Sequence, residues 1–551
     1  MTHRGLRLLA LSCLFAAPAA LTAHGPPDHP PGPATPRSSA AQLATPVRIA
    51  GGMVQGTEEA GGVRRFAGLP FAAPPVGALR WREPRAAAPW KGVRDATRFG
   101  PRCMQLPIFG DMVFRSNGMS EDCLYLNVWA PPRRPSSERA LTVLAPVLVY
   151  FYGGGFVAGD GSEFRYDGAS LARHGLVVVT VNYRLGVFGF LAHPELTRES
   201  PHHASGDYGL LDQVAALQWV RANIAAFGGD PRHVTIGGES AGSISVNAQM
   251  ASPLSRRLIA GAIGESGGMI HPTAQPLSLD SAEHLGEAFA DSAGVRTLAA
   301  LRGLPAESIL ATSGRPGNRR SRATVDGYFL PATPAQIFAA GAQAHVPLLV
   351  GWNSEESDWR DLLGDREPTT EQYAAVLRER FGEQAGQILA LLPDSTPAQV
   401  MNAASFVAGA QFIAYSTWKW ADLQRRTGRR AVYVYLYAHP RPAAKDPAQN
   451  PPHTGAVHSA EIEYALGNLS TNQVYAWTSD DSAVSETMQA YFANFVKTGN
   501  PNGSGLPAWP ATLSGDASPV MVLDVQPAAA PDPHAAAYRF FDRFYAGQPG
   551  H

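Results

Sequence analysis

The stretch HVTIGGESAGSISVNAQM, residues 233–250, contains the pattern that decides the fold. Residues 233–236 are suited to a short buried β-strand, and residues 241–250 are compatible with a helix. Between them lies the pattern G-x-S-x-G, at residues 238–242. A strand that turns sharply into a helix leaves the side chain at the turn, here Ser240, pointing toward the helix N-terminus. The stretch therefore predicts a strand–turn–helix unit.

The same five-residue pattern occurs again at residues 264–268 (GESGG). A strand is plausible before Ser266, but two glycines and then Pro272 follow it, and such a sequence does not begin a helix. Ser240 is therefore the preferred candidate nucleophile. Ser266 is expected to be a buried polar residue adjacent to the same site.

Apolar runs elsewhere in the chain indicate strands that are buried on both faces. Residues 147–152 (VLVYFY) and 177–181 (VVVTV) are typical of a parallel sheet covered by helices. Helical patterns occupy residues 209–225 and residues 488–496. This alternation predicts an α/β fold in which helices cover both faces of a large, mostly parallel central sheet.

A glycine-rich turn, residues 152–156 (YGGGF), stands at the end of the first of these runs. Glycine lets the backbone approach a ligand because no Cβ blocks it. The backbone N–H groups of such a turn, together with that of Ala241, are suited to binding negative charge on an oxygen atom. The glycines also fit a dinucleotide-binding fingerprint, but that motif opens a helix, whereas residues 159–162 (GDGS) are typical of a loop.

The start of the chain has the composition of a secretory signal. Residues 1–23 combine arginines, a short apolar run and small residues at a cleavage zone. The run is about half the roughly 20 residues that a transmembrane anchor needs. Residues 24–45 are Pro-rich and polar and are expected to be an unfolded linker. We therefore expect one domain at residues 46–547 of a secreted or periplasmic protein, without stable membrane insertion.

Composition narrows the function classes. The 551 residues are 45% hydrophobic and 17% charged with a net charge of -1, which is ordinary for a globular protein and lacks the basic excess of a nucleic-acid partner. No Cys or His spacing suits a zinc site, and we expect neither a metal nor a cofactor. In an exported chain, removal of the signal leaves two cysteines, Cys103 and Cys123. These are expected to form a disulfide. The oligomeric state stays open.

Candidate partners for the serine are numerous. In a fold of this kind an acid and then a histidine follow the serine along the chain. The chain has 16 histidines, most of which are expected to be surface or core residues. Spacing alone does not choose between His453 and His458, nor among Glu355, Glu356 and Asp358.

Longer segments resemble the type-B carboxylesterase and cholinesterase family, in particular its bacterial para-nitrobenzyl-esterase-like members. The matching segments are residues 121–128 (EDCLYLNV), 181–186 (VNYRLG), 209–213 (GLLDQ), 227–231 (FGGDP) and 238–242 (GESAG). The likeness covers essentially the whole domain. It implies the α/β-hydrolase fold and a serine esterase that cleaves small uncharged or aryl carboxylic esters through an acyl-enzyme.

The resemblance also implies roles for particular residues. The acid of the family lies in a motif matched by residues 351–356 (GWNSEE), and its base precedes an E-x-E motif matched within residues 455–463 (GAVHSAEIE). The catalytic triad would then be Ser240, Glu356 and His458. The other implied features are an oxyanion hole at Gly154, Gly155 and Ala241, a Cys103–Cys123 disulfide, and structural ion pairs between Arg80 and Glu121 and between Arg184 and Asp212.

Two departures from the family pattern bear on the site. Ser357 stands where the family usually has a glycine after the acid, so the local turn is expected to differ. Residues 104–122 contain no tryptophan, although cholinesterases use one in this loop to bind the choline cation. Acetylcholine is therefore not an expected substrate.

Three questions stay open at the level of sequence. Glu239, next to the serine, either adds an electric field that orders water or favours a cationic intermediate, or makes a structural hydrogen bond. The alternative to an enzyme is a non-catalytic binding protein, but family members of that kind typically lose the nucleophile. A specialised detoxifying esterase or a lipase would differ in pocket walls that come from loops far apart in the sequence.

Overall fold

The computed structural model describes residues 41–133, 143–318, 322–446, 454–512 and 519–547. The predicted leader lies outside the described residues, as does most of the predicted linker. At the end of that linker Ala41 and Gln42 form a short strand, which pairs with residues 57–58.

The sheet elements fall mainly after residue 120. The strands are β1 (Ala41–Gln42), β2 (Val47–Ile49), β3 (Gly52–Gln55), β4 (Thr57–Glu58), β5 (Arg64–Pro70), β6 (Val93–Asp95), β7 (Tyr125–Ala130), β8 (Ala145–Phe151), β9 (Val177–Val181), β10 (Gly229–Glu239), β11 (Gly261–Glu265), β12 (Leu277–Ser278), β13 (Thr324–Val325), β14 (Leu348–Asn353), β15 (Val432–Tyr437), β16 (Pro519–Leu523) and β17 (Ala528–Pro531).

Helices separate most of the later strands. They are α1 (Ala169–Arg173), α2 (Gly186–Phe190), α3 (Pro194–Glu199), α4 (Tyr208–Asn223), α5 (Ala241–Ala251), α6 (Leu279–Ser292), α7 (Leu298–Gly303), α8 (Ala306–Ser313), α9 (Pro334–Ala339), α10 (Arg360–Leu363), α11 (Thr370–Phe381), α12 (Ala385–Leu389), α13 (Pro397–Gly409), α14 (Tyr415–Thr427), α15 (Ile462–Leu466), α16 (Ser479–Thr498) and α17 (Ala535–Ala546). A π-helical turn, Ala410–Ala414, joins α13 to α14.

One large sheet organises the described residues, with the order β1-β4-β5-β7-β9-β8-β10-β11-β14-β15-β16-β17. From β9 to β16 neighbouring strands are parallel, and antiparallel strands complete both margins. This topology confirms the predicted α/β fold with a mostly parallel sheet. Smaller sheets contain β2, β3 and β6, and β12 with β13.

The apolar runs form strands because both faces of the sheet are covered. All five residues of β9 are buried, and so are the last five residues of β8. Strand β8 ends at Phe151, one residue before the predicted end, because Tyr152 begins the glycine-rich turn. Helix α4 ends two residues before its predicted end, and the chain continues through a 3₁₀ turn to Gly228, whose φ of 93° suits glycine.

Helix α5 is the element that positions the candidate serine. All of its eleven residues are buried, and it packs on β10 and β11. Its residues are mostly small (AGSISVNAQMA), so a backbone buried on every side can lie close to the sheet. Within the described part of the chain, no helix is both long and apolar enough to cross a bilayer.

The carboxyl ends of β8, β10, β11, β14 and β15 meet along one edge of the sheet, because these strands are parallel and adjacent. The segments that leave this edge contain the glycine turn, both G-x-S-x-G patterns, the candidate acids and the candidate bases. Ligands of open α/β sheets bind outside the carboxyl ends of the strands.

Candidate active site

The turn between β10 and α5 is sharp at Ser240, which has φ 54° and ψ −119°. A Cβ on Gly238 would lie 2.6 Å from the carbonyl oxygen of Phe151 and 2.6 Å from the carbonyl carbon of Gly242. A Cβ on Gly242 would overlap the same Phe151 oxygen. The two glycines are therefore required because the strand, the helix and the end of β8 meet in backbone contact. This is the strand–turn–helix unit that the sequence predicted.

Ser266 occupies the corresponding place at the end of β11. Strands β10 and β11 pair so that Gly238 and Glu239 lie opposite Gly264 and Glu265. Ser266 also has φ 54°, but no helix follows it, and it is fully buried. Its side chain is therefore part of the interior, next to the candidate site.

Three side chains from three segments form a continuous hydrogen-bonded chain. His458 Nε2 lies 3.0 Å from Ser240 Oγ, and His458 Nδ1 lies 2.7 Å from Glu356 Oε2. The side chain of Glu356 is 1% exposed, whereas that of His458 is 26% exposed. An arrangement of hydroxyl, imidazole and buried carboxylate can move a proton from the hydroxyl to the imidazole while the carboxylate orients the ring.

The carboxylate of Glu356 is fixed by two donors on its other oxygen. The backbone N–H of Asn353 donates to Glu356 Oε1 at 2.8 Å, and the Ser266 hydroxyl donates to the same atom at 2.6 Å. The Asn353 side chain in turn donates to Glu461 Oε2 at 2.6 Å and to the carbonyl of Val457 at 2.8 Å. The acid and the segment before His458 are thereby held together.

Four buried carboxyl groups lie in this region: those of Glu239, Glu356 and Glu461 act on His458, and that of Glu265 interacts with Glu461 and Glu239. Burial raises the pKa of Glu239, and the carboxyls of Glu461 and Glu356 add to this, although His458 lowers it. Burial likewise raises the pKa of Glu265 well above its usual range. Glu265 therefore favours its neutral form more than an exposed glutamate does, whereas Glu239 has the imidazole of His458 as a cationic partner.

Burial and the neighbouring carboxylates act on the pKa of the His458 imidazole in opposite directions. Burial alone would lower the pKa of His458, but the carboxylates of Glu239 and Glu356 outweigh burial and raise this pKa to about 9. Glu239 Oε1 lies 3.3 Å from His458 Nε2 and has no hydrogen-bond partner among the described residues. The site thus stabilises a protonated imidazole, the form that a histidine of a serine triad takes when it accepts a proton.

The glycine turn lies against the serine. A Cβ on Gly153 would lie 2.5 Å from Glu239 Oε2 and 3.2 Å from Ser240 Cβ. Gly154 has φ 103° and Gly155 has φ 62°, both in the region that favours glycine. The sequence explained these glycines by access to a substrate, but the first two are also needed because the turn packs against neighbouring protein: a Cβ on Gly154 would overlap the carbonyl of Ala158.

The N–H groups of this turn are open. Among the described residues, the backbone N–H groups of Gly154 and Gly155 donate to no protein acceptor. Gly155 is exposed and Gly154 is half-buried. Ala241, as the first residue of α5, has an N–H without a partner inside the helix. The N–H groups of these three predicted oxyanion-hole residues are therefore suited to donate hydrogen bonds to a negatively charged oxygen of a bound group.

A disulfide closes the loop beside the glycine turn. Cys103 and Cys123 form the predicted bond, with an S–S distance of 2.06 Å. The loop between them approaches the oxyanion side of the site, since the methyl carbon of Met112 would lie 3.0 Å from a Cβ on Gly154. Arg115 anchors the loop through a 2.5 Å contact with Asp167.

The alternative acids and bases lie in other environments. The carboxylate of Glu355 accepts the backbone N–H of Gly455 at 3.0 Å, and so helps to place the segment that carries His458. Asp358 is half-buried and pairs with exposed Arg360. Ser357, the departure from the family pattern, donates its hydroxyl to Asp361 at 2.5 Å. His453 lies outside the described residues.

The predicted scaffold pairs are present. Arg80 and Glu121 make a bidentate contact, with N–O distances of 2.6 and 2.5 Å. Arg184 and Asp212 are both buried and form hydrogen bonds of 2.8 and 2.7 Å. Neither pair contacts the candidate triad, and both tie distant segments of the chain together. The described residues contain no group of three or more His, Cys, Asp or Glu side chains placed to hold a metal ion.

Sequence reasoning missed several residues that surround the triad. Asn353 and Glu461 lie inside the quoted motifs, so a search for polar side chains near the acid and the base could have found them. Phe412 packs its ring against His458, with centroids 5.0 Å apart. No local pattern marks this phenylalanine, because it reaches the site from an apolar helical segment.

The chain is similar to known proteins over most of its length. The carboxylesterase family matches residues 43–541. A fumonisin B1 esterase from Sphingopyxis macrogoltabida is 37% identical over 483 residues, which is 83% of each chain. The cocaine esterase of Homo sapiens is 34% identical over 530 residues, 89% of this chain and 90% of that protein. A solved structure of PNB esterase superposes with a TM-score of 0.75 at 32% identity, covering 90% of this chain and 99% of that one.

The chain therefore belongs to the carboxylesterase family. It has the α/β-hydrolase fold of that family, as the resemblance implied. It is a carboxylic-ester hydrolase that acts on small-molecule esters.

Proposed function

We propose that the enzyme hydrolyses its esters with Ser240 as nucleophile, His458 as general base and Glu356 as the acid of the triad. The observation that carries this proposal is the chain of hydrogen bonds from Ser240 Oγ through His458 to Glu356, at 3.0 and 2.7 Å. These distances lie within the range for proton transfer in a triad.

The reaction proceeds in two halves. Ser240 Oγ attacks the ester carbonyl carbon as His458 Nε2 takes the hydroxyl proton, and the oxyanion binds the N–H groups of Gly154, Gly155 and Ala241. The carbon–oxygen bond to the alcohol breaks, and His458 returns its proton to the departing alcohol. Water then attacks the acyl-enzyme by the same route, which releases the carboxylic acid and restores Ser240.

The test is a pair of alanine variants assayed on 4-nitrophenyl acetate. Ser240→Ala is expected to lower kcat by about 10⁴-fold or more, because no other group forms the acyl-enzyme. Ser266→Ala, the matched control, is expected to keep activity within about tenfold of the unchanged enzyme, because the lost hydroxyl donates to Glu356 and Glu461 and does not contact Ser240 or the imidazole. Circular dichroism checks that both variants fold. Equal loss in the two variants would contradict the assignment of the nucleophile.

For the substrate, we propose small uncharged or aryl esters. Met112, which lies beside Gly154, and Phe412, which lies beside His458, are apolar and uncharged. The loop at residues 104–122 has no tryptophan that would bind a choline cation. Relatives named for fumonisin B1, acylcarnitine and cocaine show that members act on varied esters. A panel that varies the acyl and alcohol groups separately tests this; turnover of choline esters alone would contradict it.

A lipase is a second candidate, because the disulfide loop exposes large apolar side chains. Ile108, Phe109, Val113 and Met119 are each more than 40% exposed, and the same loop carries Met112 beside the glycine turn. An apolar rim of this kind suits an aggregated ester substrate. A chain-length series separates the two functions, since a lipase gains turnover on emulsified triglyceride and loses it on short soluble esters.

We further propose that the protein is exported, with residues 1–23 removed and the Pro-rich residues that follow serving as a linker to a single domain that extends from β1 to residue 547. The disulfide between Cys103 and Cys123 supports export, since such bonds persist in oxidising compartments. N-terminal sequencing of the enzyme recovered from the periplasm or the medium tests the cleavage. An intact Met1 in that fraction would contradict it.

A further inference from the structure

The helical segment that contacts Glu356 and His458 departs from α-helical geometry at one place. Helices α13 and α14 form one continuous helical segment, and the five residues Ala410–Ala414 between them adopt a π-helical turn. A π-turn is wider than an α-turn and changes which side chains face a neighbour, and such turns occur frequently at functional sites.

The π-turn and its flanks contact the segments around the triad. A Cβ on Gly409 would lie 3.1 Å from the Cβ of Glu356, so the helix backbone packs directly on the acid. The backbone N–H of Gly268 donates to Ser416 Oγ at 3.2 Å, which ties the turn after Ser266 to the same helix. Within the π-turn, Phe412 lies against the imidazole of His458 with ring centroids 5.0 Å apart and planes at 75°.

Local hydrogen bonds support the widened turn. The carbonyl oxygen of Ile413 accepts the hydroxyl of Ser416 at 2.8 Å and that of Thr417 at 2.9 Å. Hydroxyl donors of this kind satisfy a carbonyl in a helix whose regular ladder is disturbed. These two hydroxyls therefore help to stabilise the segment that carries Phe412.

We propose that Phe412 is a positioning residue for His458 in the ester hydrolysis described above; the proposal rests on that proposed function. Its ring restrains the imidazole between Ser240 and Glu356. Its electron-rich π-system also favours the protonated imidazole that forms in each half of the reaction. The ring acts through the histidine, so its effect does not depend on which ester is bound.

A wall of the substrate pocket would behave differently. A side chain that contacts only the alcohol matters in acylation, since the alcohol has left before deacylation. One that contacts only the acyl group has an effect that changes with acyl size. His458 accepts a proton from Ser240 in the first half and from water in the second. Loss of a residue that positions His458 therefore slows both halves by a similar factor for every ester.

The experiment compares Phe412→Leu, Phe412→Tyr and the control Phe406→Leu. Phe406 lies on α13 and is half-buried like Phe412, but its ring stacks on His534, with centroids 4.1 Å apart, and not on His458. Burst kinetics with 4-nitrophenyl acetate and 4-nitrophenyl butyrate give the acylation and deacylation rates separately. Profiles of kcat/KM against pH give the pKa of the base.

We expect Phe412→Leu to slow acylation and deacylation about three- to tenfold each, with both esters. Removing a ring that favours the charged form lowers the pKa of His458, so the acid limb of the pH profile moves to lower pH. The charged or polar groups that face the imidazole are the same in all variants, namely Ser240, Glu239, Glu356 and Glu461. Phe412→Tyr, which keeps the ring, restores the rates and the limb, and Phe406→Leu changes neither.

The proposal is overturned if only one half-reaction slows, if the factor depends on acyl length, or if the acid limb does not move. If Phe412→Leu fails to fold, Phe412→Met, which has a flexible side chain of comparable bulk, takes its place under the same criteria. These outcomes are distinct from failure of the proposed function, which would appear as turnover of the ester that survives Ser240→Ala.

Discussion

Two Gly-Glu-Ser segments lie side by side at one edge of the sheet, and they do different things. Residues 238–240 and 264–266 end neighbouring parallel strands in register, and both serines have φ 54°. Ser240 begins a helix and meets His458, whereas Ser266 is enclosed and donates to Glu356. The difference arises after the serine: the chain continues into α5 in the first case and turns away through Gly267 and Gly268 in the second. The same local sequence therefore has two roles because the residues C-terminal to each serine differ.

The largest expected difference between the two turns is in stability. Gly242→Ala is expected to destabilise the protein by about 3 kcal/mol, because its Cβ would overlap the carbonyl of Phe151 where α5 meets β8. Gly268→Ala places a Cβ 2.8 Å from the carbonyl of Ser416 and is expected to cost less, about 1 kcal/mol. Urea unfolding of both variants gives the values. A greater cost at Gly268 would mean that the second turn is the more tightly packed one.

The paired glutamates give the next contrast, in the pH dependence of activity. The carboxylate of Glu239 raises the pKa of His458, so Glu239→Gln is expected to lower that pKa and to extend activity to lower pH. Glu265→Gln is the matched control, since its hydrogen-bond partner is the hydroxyl of Tyr150, at 3.0 Å, and not the imidazole. Profiles of kcat/KM against pH measure both. An acid limb that moves equally in the two variants would contradict a direct effect of Glu239 on His458.

The smallest effect is expected on stability at Glu265. Burial raises its pKa in the folded state above that of the unfolded chain, so the folded state binds more protons and becomes less stable as pH rises through and above the usual glutamate pKa. Glu265→Gln removes this dependence and can still accept the hydroxyl of Tyr150. The variant is therefore expected to gain melting temperature over the unchanged protein at pH 8 but not at pH 4. A gain that is the same at both values would exclude ionisation as its cause.

Local signals were enough to predict the main parts of the fold. The runs at 147–152 and 177–181 are apolar because both faces of the sheet are covered, and β8 and β9 lie at these positions within one or two residues. The first G-x-S-x-G pattern is followed by the predicted helix. Each of these features depends on neighbours within about twenty residues.

Features of the site that depend on distant contacts could not be derived in this way. The resemblance to the family was needed to single out Glu356 and His458, because no local pattern separates them from their neighbours. Ser266 was recognised as a buried residue near the site, but its bond to Glu356 joins residues 90 positions apart. The orientation of Phe412 depends on a π-turn that has no periodic signature in the sequence.

The backbone at Ser240 has a consequence for how such an enzyme evolves. A φ of 54° with ψ −119° is a conformation that glycine adopts freely and that a residue with a Cβ adopts only at an energetic cost of about 1–3 kcal/mol. Replacement of this serine by glycine would release that strain and, because Ser240 is the proposed nucleophile, is expected to leave a more stable protein without esterase activity. Drift toward higher stability therefore leads away from turnover, and only selection on catalysis keeps a hydroxyl at this position.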